Sequence, residues 1–316
     1  MVYSPGVITN YYNGSSKLEW RIAMSFIKYQ AFIKVVEFGN ITKAAKALGY
    51  SQPGISHMLE ALENQFGFPL LIRSKDSIRP TEDGKRILYY CHQIVKNQLL
   101  LQETAESITG LVTGTIHIGA INSTLVSFVP KLVREFSNVY SNIEIHLQEY
   151  TITEVKEHMQ NGDIDIAFTT NDIPKGFDFC PFFEDPIYLI VNSFHPFAAY
   201  DKVPVQVLNG CDFIMPFPNW DDNVKIIQSK QPFVPNVKHY AASDYAAIYM
   251  VSENLGVYMI SKLQLNLLPD SVVAKDLEGN FSRSVGICMK SFKYASPAQR
   301  EFINIAKHFS ASVCSN

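Results

Sequence analysis

Ser51, Gln52, Pro53, Ser56 and His57 gather short polar side chains and one proline at what reads as the start of a helix. Hydroxyl, amide and imidazole groups in that position fit a major groove, where they bond base edges and phosphates. The chemistry implied is recognition of double-stranded DNA rather than the making of bonds.

Such a reader must be held by its neighbours. Thr42 is the expected cap of a preceding helix whose Ala44, Ala45 and Leu48 form a slim apolar side, and Gly49 supplies the left-handed residue that ends it. Ser51 then caps the second helix, and Pro53 falls in the first turn, where its missing N–H costs nothing. Ile55, Leu59 and Leu62 recur at i, i+4 and i+7 as the buried stripe, leaving Gln52, Pro53, Ser56, His57 and Glu60 outside. A short strand through Ile72 and Arg73, a turn at Lys75-Asp76-Ser77 and a return through Ile78-Arg79-Pro80 read as a wing. The wing is expected to set Arg73, Lys75 and Arg79 beside the second helix, where cations grip phosphates and fix register.

These residues carry a family resemblance. Ser51-Gln52-Pro53, Ser56, Leu62-Glu63, Gly67, Pro69-Leu70, Arg73 and Thr81-Glu82-Asp83-Gly84 follow the pattern of LysR-type transcriptional regulators, and Phe26 to Leu88 resembles their winged helix-turn-helix. Three positions depart from that pattern. Gly54 stands where alanine is usual, His57 where arginine is common, and Pro80 where leucine usually precedes the threonine. Loss of a guanidinium at His57 removes one phosphate or base contact, and Gly54 costs roughly 1 kcal/mol against alanine in a helix.

A length of 316 residues implies more than one domain, and 47% hydrophobic residues suffice for ordinary cores. From Met24 to Arg86, nine Lys and Arg against six Asp and Glu give +3, and the chain total of −3 leaves −6 elsewhere. The positive excess therefore coincides with the expected DNA footprint, while the total excludes a wholly basic coat protein. Cys91, Cys180, Cys211, Cys288 and Cys314 show neither CxxC nor metal-ligand spacing, which suits a reducing cytoplasm and predicts no cofactor. A few regulators of the family use a cysteine pair, which leaves Cys180 with Cys211 as the alternative to ordinary buried thiols. No apolar run approaches the roughly 20 residues of a membrane span, and no basic segment followed by an apolar one opens the chain.

Residues 1–23 lack periodicity and read as an unstructured leader or extension, with Met24 resembling the family's usual start. The DNA-binding domain is assigned to residues 24–82 and a dimerisation linker helix, opened by Thr81, to 83–112. Ile87, Cys91, Ile94, Gln98, Leu101, Ala105 and Ile108 are spaced alternately by four and three, a heptad seam suited to pairing with a second helix. In the family this helix makes the dimer, so a homo-oligomer, dimer or tetramer, is implied.

Strands and helices alternate beyond Gly110. Strands are expected at 115–119, 143–147 and 164–168, with a helix from Ser123 or Thr124 through Phe136 and another, around Val155 and Met159, stopped by Gly162. The layout resembles the family's two-lobed α/β, periplasmic-binding-protein-like effector domain, here 113–310. Lobe one takes 113–186 and 287–310, lobe two takes 187–286, and two crossings make a hinge over a cleft. Asn122, Ser123 and Thr124 sit at a strand-to-helix turn, and Thr169-Thr170 just past a strand's carboxyl end, where such sheets bind ligands. Phe217, Ser243 and Asp244 occupy positions that match effector-contacting regions of the family. No arginine stands out near these turns, which disfavours a phosphate ester, and Asp244 is free in this reading to receive a hydroxyl or amine.

The resemblance implies a bacterial regulator of promoter DNA, controlled by a small-molecule effector and acting with RNA polymerase. The rival classes are an enzyme or a cytoplasmic ligand receptor with an accessory helix-turn-helix. GxSxG, HExxH, phosphate-loop and Rossmann patterns are all missing from the sequence.

Overall fold

The computed structural model describes residues 26–74, 77–108, 114–216 and 222–313. The expectations for the leader, Met24, Lys75 and Phe217 lie outside these residues, as does Cys314. Two compact units divide the chain, Met1–Gln102 and Glu103–Asn316.

The first unit opens with three helices, α1 (Phe26–Phe38), α2 (Ile41–Leu48) and α3 (Gln52–Phe66). Gly49, at φ 73°, ends α2 by donating its N–H back to Lys46 O. The cap of α2 is Asn40 rather than Thr42, its side chain accepting from Lys43 N at 3.0 Å. Thr42 is the second residue of the helix and is exposed. Ser51 caps α3 as expected, accepting from Gly54 N at 3.2 Å. Ala31, Phe32, Val35, Ala44, Ile55, Leu59 and Leu62 fill the core, and Ile33 joins them.

The wing is a ribbon of β1 (Leu71–Arg73) and β2 (Ile78–Pro80), with Ile72 opposite Arg79 and Arg73 opposite Ile78. Because side chains alternate faces with period two, Arg73 and Arg79 point from opposite faces of the ribbon. Thr81 then caps α4 (Glu82–Ile108), its hydroxyl accepting from Gly84 N at 2.8 Å. The heptad seam divides along its length. Cys91 is buried in the first unit's own core with Ile87 packed against it, whereas Ile94 and Leu101 are 45% and 64% exposed.

In the second unit β3 (Gly114–Ala120) lies parallel to β4 (Ile143–Glu149) and β5 (Ile166–Thr170). The single helix expected after β3 is two, α5 (Asn122–Ser127) and α6 (Val129–Val139), since Pro130 lacks the N–H that would continue the ladder. β5 starts two residues later than expected, because Asp165 turns its carboxylate onto His117 N at 2.9 Å. Thr169 and Thr170 are therefore its last two residues rather than residues beyond its end. Helix α7 (Ile152–Asn161) carries a full capping box at Thr151 and Glu154 and stops at Gly162, φ 84°.

β6 (Asp178–Asn192) is one continuous strand that serves both lobes. β7 (Lys202–Val203), β8 (Asp212–Pro216), helix α8 (Asp222–Lys230), β9 (Asn236–Ala241), helix α9 (Asp244–Ser252), β10 (Tyr258–Ser261) and β11 (Val272–Leu277) build lobe two. β12 (Ser282–Met289) returns to pair with the 178–186 half of β6 and with β5, so pairing with lobe-one strands begins at Ser282, ahead of residue 287. Helix α10 (Pro297–Val313) closes lobe one, burying Phe302, Ile303 and Ala306 with Ile116, Ile118, Phe136 and Phe168. Lobe two buries Leu189, Phe213, Ile227 and Met259 on one side of its sheet and Ile190, Ile248, Val251 and Ile260 on the other.

Candidate nucleic-acid interface and effector cleft

On α3 the exposed face carries Gln52, Pro53 and His57, with Ser56 half-buried among them. Gln52 Nε2 donates to Ser56 Oγ at 3.3 Å, which couples the amide of the first turn to the hydroxyl one turn on. His57 Nδ1 stands 3.7 Å from Glu60 Oε2, and both groups are exposed. Ser51 spends its hydroxyl on the cap, so its contribution is to hold the helix end.

Glu63 has a role that spacing alone did not reveal. Its Oε1 accepts from Leu70 N at 2.8 Å and Leu71 N at 3.2 Å, satisfying two amides where the chain enters the wing. Its Oε2 takes Arg73 Nη2 at 3.5 Å. Arg73 is thus tied to the end of α3, not held out for phosphate alone, while Arg79 is exposed on the other face of the ribbon.

Within the second unit, side chains from both lobes meet where α5 faces the turn after β10. Ser123 is 3% exposed, and its Oγ accepts from Arg283 Nη2 at 2.6 Å. The same nitrogen donates to Ser261 Oγ at 2.8 Å and Asp185 Oδ2 at 2.9 Å, and Arg283 Nε reaches that carboxylate at 3.1 Å. The expectation that no arginine lies near these turns is therefore corrected. Arg283 comes from a strand 160 residues further along the chain than Ser123, a proximity that only the sheet creates.

A second bridge runs beside the first. Gln264 Nε2 donates to Asn122 Oδ1 at 3.2 Å and Asp244 Oδ2 at 2.6 Å, and Tyr258 Oη donates to Asp244 Oδ1 at 2.6 Å. Asn122 Nδ2 in turn donates to Glu149 at 3.0 Å. Both oxygens of Asp244 are therefore engaged, and it does not stand free to receive a hydroxyl or amine.

Other expected cleft residues have local work. Thr124 is fully buried and donates to Ile121 O at 2.8 Å, and Ser243 caps α9 by accepting from Ala246 N at 3.2 Å. Thr169 differs: its Oγ1 is buried and has no hydrogen-bond partner. Arg283, Asp185, Ser261 and Gln264 were missed by sequence reasoning. The available signal was weak, Asp185 beside Glu184 inside the largely apolar β6 and Arg283 as the one charge of β12.

The alternative of a Cys180–Cys211 pair is not met, for the two are not joined. Cys180 and Cys211 are both free thiols, Cys180 facing Ile287 across lobe one's sheet and Cys211 packing against lobe two's core. Burial, reinforced by Asp212, pushes the Cys211 thiol up to about 11, the reverse of an activated thiolate. Among the described residues no helix is long and apolar enough to cross a membrane.

Residues 27–85 match the family model described as bacterial regulatory helix-turn-helix protein, lysR family, and residues 109–310 match the LysR substrate binding domain. The HTH-type transcriptional regulator YvbU of Bacillus subtilis (strain 168) is 28% identical over 296 residues, covering 90% of this chain and 98% of that protein. A full-length OxyR variant from Pseudomonas aeruginosa has the same fold, with TM-score 0.73 and 17% identity across 91% of this chain and 94% of that one. Full-length CbnR, solved with its target DNA, gives TM-score 0.64 at 19% identity across 90% of this chain and 100% of that one. The chain belongs to the LysR family of bacterial transcriptional regulators, which join a DNA-binding helix-turn-helix to an effector-binding domain.

Proposed function

We propose that this regulator reads promoter DNA with Gln52, Pro53, Ser56 and His57 of α3, and that Thr42, Arg73, Lys75 and Arg79 supply phosphate contacts. Ser51 orients the helix. The functional segments of this reading are the DNA-binding domain of 24–82, the linker of 83–112, whose exposed Ile94 and Leu101 seat against a second copy, and the effector domain of 113–310. The protein acts in the cytoplasm without catalysing a reaction and contacts RNA polymerase from its promoter site.

The observation that carries the reading is the pair of hydrogen-bonded bridges across the cleft, Ser123–Arg283–Ser261 and Asn122–Gln264–Asp244. An effector entering there exchanges its own polar groups for these bonds and so biases the two lobes toward a different setting. The unpartnered Thr169 hydroxyl adds a buried donor, with Thr170 beside it, and Ser243, at the start of α9, belongs to the lobe-two side.

The test is footprinting and gel-shift titration of the full chain on DNA upstream of its own gene and its neighbours, with thermal-shift screening of metabolites. A ligand that raises the melting temperature by mass action and also alters the footprint supports the reading. A small molecule that is turned over, with no protected DNA, overturns it.

A further inference from the structure

We propose that the outer edge of lobe one carries a two-imidazole site for a divalent transition-metal ion, held by His117 and His146. The parallel register of β3 and β4 sets these residues directly opposite each other, so their side chains leave the same face of the sheet. Their ring centroids are 4.9 Å apart. Two imidazoles on one ion, with metal–nitrogen bonds of about 2.0–2.1 Å, place their centroids about 5 Å apart. The pair therefore stands near chelating separation without any movement of the backbone.

Each ring also has a carboxylate behind it. His146 Nε2 lies 2.8 Å from Glu144 Oε1, and His117 Nδ1 lies 3.4 Å from Asp165 Oδ2. An ionised carboxylate only accepts, so the ring proton belongs on the nitrogen facing it and the lone pair on the other, as for metal-bound histidines backed by carboxylates. Asp163, bonded to His158 Nδ1 at 2.8 Å, adds a further negative charge nearby.

The rings are 48% and 53% exposed, and a cavity of about 370 Å³ bounded by His117, His146, Tyr150 and Asp163 leaves space for water ligands. Among the described residues no three His, Cys, Asp or Glu side chains already form a complete cation cage. Two nitrogens and water therefore make up the shell, which ranks Cu²⁺ above Ni²⁺ and Zn²⁺.

The experiment is titration of full-length protein with Cu²⁺, read by calorimetry and by electron paramagnetic resonance at substoichiometric metal. One tight equivalent with two nitrogen couplings is expected. His117→Gln and His146→Gln should each reduce the couplings to one and weaken binding at least tenfold, whereas His308→Gln, on an exposed face of α10, should leave both unchanged. Metal-free melting curves of the two variants, matching the parent, verify their folding. Two nitrogen couplings and unaltered affinity in either the His117 or the His146 variant would overturn the site.

Discussion

Arg283 Nη2 and Asp185 Oδ2 lie 2.9 Å apart with side chains only 8% and 1% exposed, a buried ion pair at the junction of the two lobes. Removing one partner strands the other charge in the interior. Arg283→Met should therefore cost about 3–5 kcal/mol, whereas Arg283→Met with Asp185→Leu should recover much of that loss. Urea unfolding of the single and double variants measures both, and an additive double variant would contradict the pairing.

Gly84 is fixed by contact rather than by conformation. A Cβ there would fall 2.1 Å from Leu70 O, backbone that Thr81 N already holds at 2.9 Å. Gly84→Ala is expected to destabilise the DNA-binding unit by roughly 3 kcal/mol, the upper end of ordinary overpacking. A thermal melt of the variant checks this, and an unchanged midpoint would refute it.

On the DNA side, Ser56→Ala should weaken specific binding more than non-specific binding, because Ser56 lies on the face of α3 proposed to read DNA and is bonded to Gln52. Arg79→Ala should weaken both alike and lower the salt dependence by about one counterion. Gel shifts on specific and scrambled duplexes across a salt series separate the two outcomes.

Alkaline pH should act on lobe one through Cys288. Burial, with Asp178 as the lesser cause, pushes its thiol up to about 12. An unfolded thiol ionises near 8.5, so the stability tied to keeping Cys288 protonated is fully present below about pH 8.5 and is lost as pH rises through the folded value. Cys288→Ala should start lower for its cavity yet fall less between about pH 8 and pH 11. Melting temperatures of the variant and the parent across that range provide the comparison.

What the sequence made legible was local. The α3 stripe, the Gly49 turn, the Ser51 and Thr81 caps and the Gly162 stop all depend on residues within a few positions of one another, and all stand as read. Thr42 was expected as the cap and Asn40 takes the role, since both are good cap residues two positions apart and only the backbone angles choose between them. The cleft was legible as a place but not as chemistry. Asn122 and Ser123 were visible at their turn, but Arg283, Asp185 and Gln264 reach it through sheet pairing over long stretches of chain, which spacing does not encode.

β6 holds β12 along residues 178–186 and β10 and β11 along 187–192, so the same ribbon is stitched into both lobes. A segment bonded along its whole length cannot swing like a free joint without tearing its ladder. Any movement of one lobe against the other would be spread as torsion along that ribbon, making the element between them a spring whose restoring force an effector bound in the proposed cleft works against.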